Sequence, residues 1–379
     1  MTFPELAYIG WAKALPSVKI NLARSGIDHC PPSLLRLTAS DLVTTLPVKY
    51  GYAPLRDAIA RRYGVGADQV FTVSGGASFA NWIACAAAVD GAPRHAEAIV
   101  EQPTYEPLLK IVEALGCRIR RLDRRFDDGY AIDLDRFRSI VTARTRLAIV
   151  TNLHNPSGAR IDWDTLTQMA AIMARVKGVL LVDEVYLECV FRSRPQSCVH
   201  AGPNVITTNS LTKAYGLDGL RAGWMLGPAA LVRRAGTIND IMTNNGVAPG
   251  ERMALAAFRH RRDLDRRAHA LLDPNLERLR AFFARESRLQ ALVPPGGNVA
   301  FPRLPRGIGG DALCAHLLKH YSTLVVPGRF FESPQHIRIS FGTRPAIVAR
   351  GLANISRAID DLEQSVDARM RATDVARRL

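Results

Sequence analysis

Continuous apolar, β-branched runs alternate with stretches of helical spacing through the middle of the chain, and this alternation leaves few folds open. Val70–Val73, Ala98–Glu101, Arg118–Leu122, Leu147–Thr151, Val179–Asp183 and Val205–Thr208 read as strands. Helical patterns over Ser78–Val89, Glu106–Leu115 and Asp162–Val176 lie between them. Strands that are apolar on both faces, separated by helices, predict an α/β fold with a mostly parallel sheet covered on both sides. A chain of 379 residues exceeds what one core usually serves, so two domains around a shared cleft are expected.

The flanks differ from this middle. Ile20-Asn21-Leu22-Ala23-Arg24-Ser25-Gly26 is a short extended run ending in a turn, and Cys30-Pro31-Pro32 breaks any helix there. Pro54–Tyr63 is helical and ends at Tyr63-Gly64. A charged helical region from Glu251 to Glu286 is expected to break at Asp273-Pro274, because proline cannot continue a helix. Val299–Phe301, Thr323–Val326 and His336–Ser340 then suggest a smaller α+β unit.

Charge and cysteine usage narrow the function. The net charge of +15 invites an anionic partner, but the basic residues are scattered and mostly arginine, with interleaved acids around Arg259–Arg262. No zinc-finger spacing, RNP-type aromatic set or appended helix-turn-helix supports nucleic-acid binding. The six cysteines show no C-x-x-C pairing and read as small buried hydrophobes in a reducing compartment. The N-terminus lacks signal-peptide features, and the longest apolar stretch, Phe79–Val89, is too short to span a bilayer. A cytoplasmic protein without membrane or nucleic-acid partners is the expectation.

In a sheet of this kind ligands bind beyond the carboxyl ends of the strands. Asn155, Asp183, Ser210 and Lys213 all fall there. Lys213 sits in a short loop, Ser210–Trp224, with glycines and Arg221; a lysine just past a buried strand loses hydration, its pKa falls, and its amine can attack a carbonyl. Ser74-Gly75-Gly76-Ala77-Ser78 joins a strand to a helix N-terminus, where free amides can hold a phosphate, yet it matches neither Walker A nor G-x-G-x-x-G. Asp183 ends an apolar strand and needs a cationic or N–H partner. Too few acids and histidines lie nearby for a metal site, whereas a protonated pyridine nitrogen requires a single carboxylate.

Asn155-Pro156-Ser157-Gly158, Asp183-Glu184-Val185-Tyr186, Ser210-x-x-Lys213 with Arg221 eight residues on, and Ile337-Arg338-Ile339-Ser340 occur in that order. Together they resemble the pyridoxal-phosphate enzymes of fold type I, specifically the class I/II aminotransferase family, over nearly the whole chain. The resemblance implies a mostly parallel seven-stranded sheet sandwiched by helices in a large domain, residues 46–273, with a smaller α+β domain built from 1–45 and 274–379. It implies pyridoxal 5'-phosphate as cofactor and an aminotransferase that moves an amino group between an L-amino acid and a 2-oxo acid through a Lys213 Schiff base. It also implies a homodimer with active sites at the subunit interface.

The same resemblance assigns roles. Lys213 would carry the cofactor and shuttle a proton, and Asp183 would pair with the pyridinium nitrogen. Tyr186 and Asn155 would donate to the ring's phenolic oxygen. Arg221, Ser210, Ser78 and the amides of Gly76 and Ala77 would bind the phosphate. Tyr105 would stack on the ring, and Arg338, with Asn155 and Gly26 nearby, would take the substrate carboxylate. Tyr50, or else Tyr52, is the tyrosine expected to reach the neighbouring subunit's cofactor. Plainer readings stand beside these: Asn155 suits an Asn-Pro turn, Tyr105 a core aromatic and Ser78 a helix N-cap.

One departure concerns the substrate loop. Family members usually place a glycine three residues after the leucine, often followed by x-Pro; here Leu22 is followed by Ala23-Arg24-Ser25-Gly26-Ile27. The Ser-Gly-Ile form is similar to that of divergent members that eliminate, cyclise or oxidise, so a lyase, cyclase or oxidase is the first alternative. A catalytically silent binding domain is the second, and intact Lys213, Asp183 and Arg221 speak against it.

Overall fold

A computed structural model describes residues 3–45, 51–189 and 196–378. Seven strands form the central sheet: β1 (Val70–Ser74), β2 (Glu97–Gln102), β3 (Arg118–Asp123), β4 (Thr145–Thr151), β5 (Val179–Asp183), β6 (Val205–Ser210) and β7 (Ala222–Leu226). Their order across the sheet is β1-β7-β6-β5-β4-β2-β3. β7 runs antiparallel to both of its neighbours, and the pairs from β6 to β3 are parallel. The expected α/β architecture is therefore present.

Strand periodicity explains how both faces are covered. Leu147, Ile149 and Leu181 point to one side, where they meet Ala80, Ile83 and Ala84 of the helix Gly76–Val89. Ala148, Val150, Leu180 and Val182 point to the other, against Leu166, Met169 and Met173 of the helix Trp163–Arg175. Each fully buried Val, Leu or Ile contributes about 1.5–3 kcal/mol. Asp162 caps the second helix by accepting from the Thr165 amide, so it precedes the helix.

Several sequence expectations are corrected in detail. The helix expected from Ser78 starts at Gly76, and its N-cap is Gly75, so Ser78 is not the cap. β7 and the helices Leu134–Ile140 and Ala229–Met242 were not anticipated. The helix Arg261–Arg285 runs straight through Pro274, and the expected boundary between residues 273 and 274 falls inside it. Burial of Leu264, Ala268, Leu272, Leu276 and Leu279 along one stripe outweighs the one backbone bond that proline removes.

The two chain ends meet. Ile20–Asn21 pairs in parallel with Thr323–Leu324, and Ile337–Ser340 lies between Val326–Pro327 and Val299–Ala300 in an antiparallel sheet. Cys30, Cys85, Cys189 and Cys198 are buried and unbridged. Among the described residues no helix is long and apolar enough to cross a membrane.

Candidate active site

A cavity of about 510 Å³ opens at the carboxyl ends of the central strands, lined by Tyr8, Arg24, Ser25, Gly26, Lys213 and Asp218 among others. Lys213 stands on a one-turn helix, Thr212–Tyr215, directly after β6. The Ser210 hydroxyl accepts from the Thr212 amide at 3.3 Å and so closes the turn that presents the lysine. Burial lowers the Lys213 pKa to about 8, with the Arg338 charge acting in the same direction and Asp183 opposing it. Its Nζ donates to Ser25 Oγ at 2.6 Å.

Asp183 closes β5 with its carboxylate buried. Asn81 Nδ2 donates to Oδ2 at 2.8 Å and the Val185 amide to Oδ1 at 3.1 Å. The Thr208 hydroxyl in turn donates to Asn81 Oδ1, which fixes the amide's orientation. Burial raises the Asp183 pKa against these two donors and the Lys213 charge. Tyr186 is buried, its phenol oxygen has no hydrogen-bond partner among the described residues, and burial pushes its pKa up.

Arg221 is held in the left-handed region at φ 51°, a conformation that costs a non-glycine residue about 1 kcal/mol or more. That turn folds its guanidinium back so that Nη2 donates to Gly75 O at 2.5 Å, while its own carbonyl accepts from the Gly76 amide at 2.8 Å. Arg221 thereby stands over the N-terminus of the helix Gly76–Val89, where the free amides of the first turn and the helix dipole favour an anion. Gly223 makes this approach possible, since a Cβ there would lie 2.5 Å from the Gly76 backbone. Ala77 and Ser78 follow in the same turn, with Ser78 exposed.

Arg338 is completely buried on the strand Ile337–Ser340. Nη2 donates to Tyr8 Oη at 2.7 Å and to Ala23 O at 3.2 Å, Nη1 donates to Asn155 Oδ1 at 3.2 Å, and Nε has no partner among the described residues. The guanidinium lies over the Phe331 ring at 4.8 Å and the Tyr8 ring at 5.4 Å. Burial works against its charge, but the phenols of Tyr8 and Tyr186 outweigh it and raise its pKa. No carboxylate is bonded to this buried cation among the described residues, which leaves it suited to an incoming one.

Asn155 is buried beside Arg338, with its backbone N–H donating to Thr151 Oγ1 at 2.9 Å, and it also lies in the turn that its Asn-Pro dipeptide favours. Tyr105 precedes the helix Glu106–Ala114, meets Tyr8 edge-on at 5.9 Å, and borders two apolar clusters. Gly26 packs on the lysine turn: a Cβ there would contact Thr212 O at 3.4 Å and Lys213 Cα at 3.6 Å. Tyr50 lies outside the described residues. Tyr52 caps the helix Ala53–Tyr63 and holds Arg252 over its ring at 4.7 Å.

Tyr8, Asn81 and Asp218 belong to this neighbourhood without having been singled out from the sequence, and Ser25, noted there as part of the unusual Ser-Gly-Ile loop, joins them. Of the first three only Asn81 carried a signal, as a lone amide in an otherwise apolar helix. At the mouth of the cavity Arg24 Nη2 donates to His29 Nε2 at 2.9 Å, which leaves His29 Nδ1–H to donate to Asp218 Oδ1 at 3.0 Å. The assembly fits a phosphorylated pyridine aldehyde: a helix N-terminus with an arginine at one end, a fixed carboxylate at the other, an unpartnered buried phenol, and an amine of lowered pKa.

Comparisons with known proteins agree with this geometry. Capreomycidine synthase of Streptomyces vinaceus is 34% identical over 318 residues, covering 80% of this chain and 78% of that protein. An arginine–pyruvate transaminase of Pseudomonas aeruginosa is 27% identical over 263 residues, covering 64% and 63%. The crystal structure of the PLP-dependent cyclase OrfR superposes with a TM-score of 0.83 at 27% identity, covering 95% of this chain and 98% of that one. The family model for aminotransferase class I and II matches residues 18–355, and the chain is a pyridoxal-phosphate-dependent member of that family.

Proposed function

We propose that the chain exchanges an amino group between an L-amino acid and a 2-oxo acid, with pyridoxal phosphate carried on Lys213 Nζ. The observation that carries this reading is the lysine itself: it lines the cavity, its pKa is brought to about 8, and the charges of the buried Arg338 and Asp183 both act on it. When bound, the cofactor supplies an electron-withdrawing ring that stabilises negative charge at the substrate α-carbon.

The chain's residues do the rest. Asp183, held by Asn81 and Val185 N–H, would face the ring nitrogen. Tyr186 would donate to the ring's phenolic oxygen, and Asn155, whose Oδ1 is taken by Arg338, has its NH₂ left to donate there. Arg221, the amide of Ala77, Ser78 and Ser210 would hold the phosphate, the expected Gly76 amide being taken by Arg221 O, and Tyr105 would cover the ring face. Arg338 would take the substrate carboxylate, with Gly26 leaving room above Lys213. The central sheet and its covering helices would carry the cofactor, and the segments from the two chain ends that pair at Ile20–Asn21 and Thr323–Leu324 would close the substrate side.

We read the working form as a homodimer, with Tyr50 or Tyr52 reaching the neighbouring cofactor. The exposed side chains of Leu42, Ile241, Met242 and Val247 support this, being apolar surface of the kind that a second copy covers. Asp218, whose carboxylate lines the cavity with one oxygen on His29, supports a cationic substrate side chain such as that of the arginine in one relative's name.

A second reading, cyclisation without net amino transfer, fits the similarity to a capreomycidine synthase and a PLP-dependent cyclase. The unusual Ser25-Gly26 loop beside Lys213 points the same way. Incubating the loaded protein with pyruvate and a panel of amino acids that includes arginine separates the two. Alanine plus a new oxo acid supports transfer; an altered carbon skeleton without alanine sinks it in favour of the second. Lys213→Ala should abolish either outcome.

A further inference from the structure

We infer that Ser25 is a positioning residue for the Lys213 amine, a dock that holds Nζ by a hydrogen bond and meets its charge whenever the lysine is free of the cofactor. The inference rests on the reading of Lys213 as the cofactor-bearing lysine. Among the described residues Ser25 is the hydrogen-bond partner of Nζ, at 2.6 Å. Its place is set by backbone contacts on two sides. Ile27 N donates to Lys213 O at 3.1 Å, and Asn298 Nδ2 donates to Ser25 O at 3.1 Å. Gly216, three residues past the lysine, accepts from Cys30 N at 2.9 Å, and a Cβ at Gly216 would strike Asp28 O. Loop and lysine turn are thus bolted together, which keeps the Ser25 backbone within reach of the amine.

The hydroxyl has one proton and two lone pairs. Oγ accepts from Lys213, which leaves its own O–H to turn toward Tyr186, whose phenol is otherwise unpartnered and whose anionic form Ser25 would favour. When the neutral amine removes a proton from a substrate carbon, Nζ gains that proton and the C–H electron pair stays on the substrate. The positive charge then formed lies against Ser25 Oγ. A hydrogen bond from an ammonium is stronger than one from a neutral amine, so Ser25 favours the protonated lysine and works against the effect of burial.

The test compares the wild-type full chain with Ser25→Ala and Ser25→Thr, each freed of cofactor. The rate of covalent capture of pyridoxal phosphate is followed by absorbance across pH. Removing the hydroxyl should move the midpoint of the rise to lower pH by about half to one unit, and threonine should restore it. In the loaded enzyme, solvent-deuterium exchange at the amino acid's α-carbon should slow about tenfold or more in Ser25→Ala. A merely structural role would change melting temperature or cofactor occupancy without moving the pH midpoint, and an unmoved midpoint in a folded alanine variant overturns the proposal. Ser25→Gly, which adds no bulk, serves if alanine or threonine disturbs folding. If the wild-type chain captures pyridoxal phosphate no better than Lys213→Ala, the reading of Lys213 itself fails, and the inference with it.

Discussion

Replacing Asn81 by alanine should weaken cofactor binding although Asn81 itself is buried under the sheet's end. Its Nδ2 supplies one of the two hydrogen bonds that Asp183 receives, the other coming from the Val185 amide at 3.1 Å. A hydrogen bond to a buried charge contributes about 1.5–3 kcal/mol, so losing it should cost roughly ten- to hundredfold in affinity for a ligand that needs Asp183 ionised. Thr208 would lose its acceptor at the same time. The pH dependence has a definite sign. Burial already raises the Asp183 pKa in the folded chain, and removing a donor raises it further. The folded state then binds this proton more readily than the unfolded state does, so stability falls as pH rises from the ordinary aspartate value through the folded one. The variant's deficit should therefore be larger at pH 8 than at pH 5. Absorbance titration with pyridoxal phosphate measures the first effect, and urea unfolding of the cofactor-free chain at both pH values measures the second. An Asn81→Ala protein that binds the cofactor within twofold of wild type, or that is destabilised equally at pH 5 and pH 8, refutes the reasoning.

Arg338→Gln should raise KM for the amino acid roughly hundredfold, because a buried charge pair loses one partner, while covalent capture of pyridoxal phosphate is kept; steady-state kinetics beside absorbance shows the split. Capture of pyridoxal phosphate by the cofactor-free chain should increase as pH passes about 8, since the lysine is protonated and unreactive below that value and neutral above it. Arg124 and Glu101 form a fully buried pair at 2.7 Å, so Glu101→Gln or Arg124→Met alone should destabilise by about 3–5 kcal/mol in urea unfolding, by leaving one charge uncompensated.

The central strands were legible because a strand buried on both faces must be apolar throughout, and Val179–Asp183 or Leu147–Thr151 can hardly be read otherwise. β7 was not: Ala222-Gly223-Trp224-Met225-Leu226 has no β-branched residue and follows a glycine-rich turn, and its pairing with β1 depends on Gly223 fitting against Gly76. Pro274 misled for a related reason, since local backbone chemistry predicts a break that a long buried stripe overrides. In the site, residues at strand ends were readable by position, and motif spacing added Arg221 and Arg338. Tyr8 was not, and Ser25 was visible only as part of an unusual loop, because their roles come from contact with Arg338, 330 residues away, and Lys213, 188 residues away.

That distance has a consequence for how the two halves of the site are coupled. Leu22 O accepts from Ser340 N at 2.8 Å, two residues past Arg338, and Asp28 N donates to Gly342 O at 2.8 Å. Between these two anchors the loop accepts Arg338 Nη2 at Ala23 O, hydrogen-bonds Lys213 Nζ at Ser25 and binds the lysine's carbonyl at Ile27. One strap of seven residues therefore sets the position of the carboxylate-holding arginine relative to the amine. Asp183, Arg221 and the helix start at Gly76 are held instead by the sheet, by Asn81 on Asp183 and by the bonds between Arg221 and Gly75-Gly76. Changes within Leu22–Asp28 should consequently alter how the amino acid sits against Lys213, and what becomes of it, with little effect on how tightly the phosphate is held.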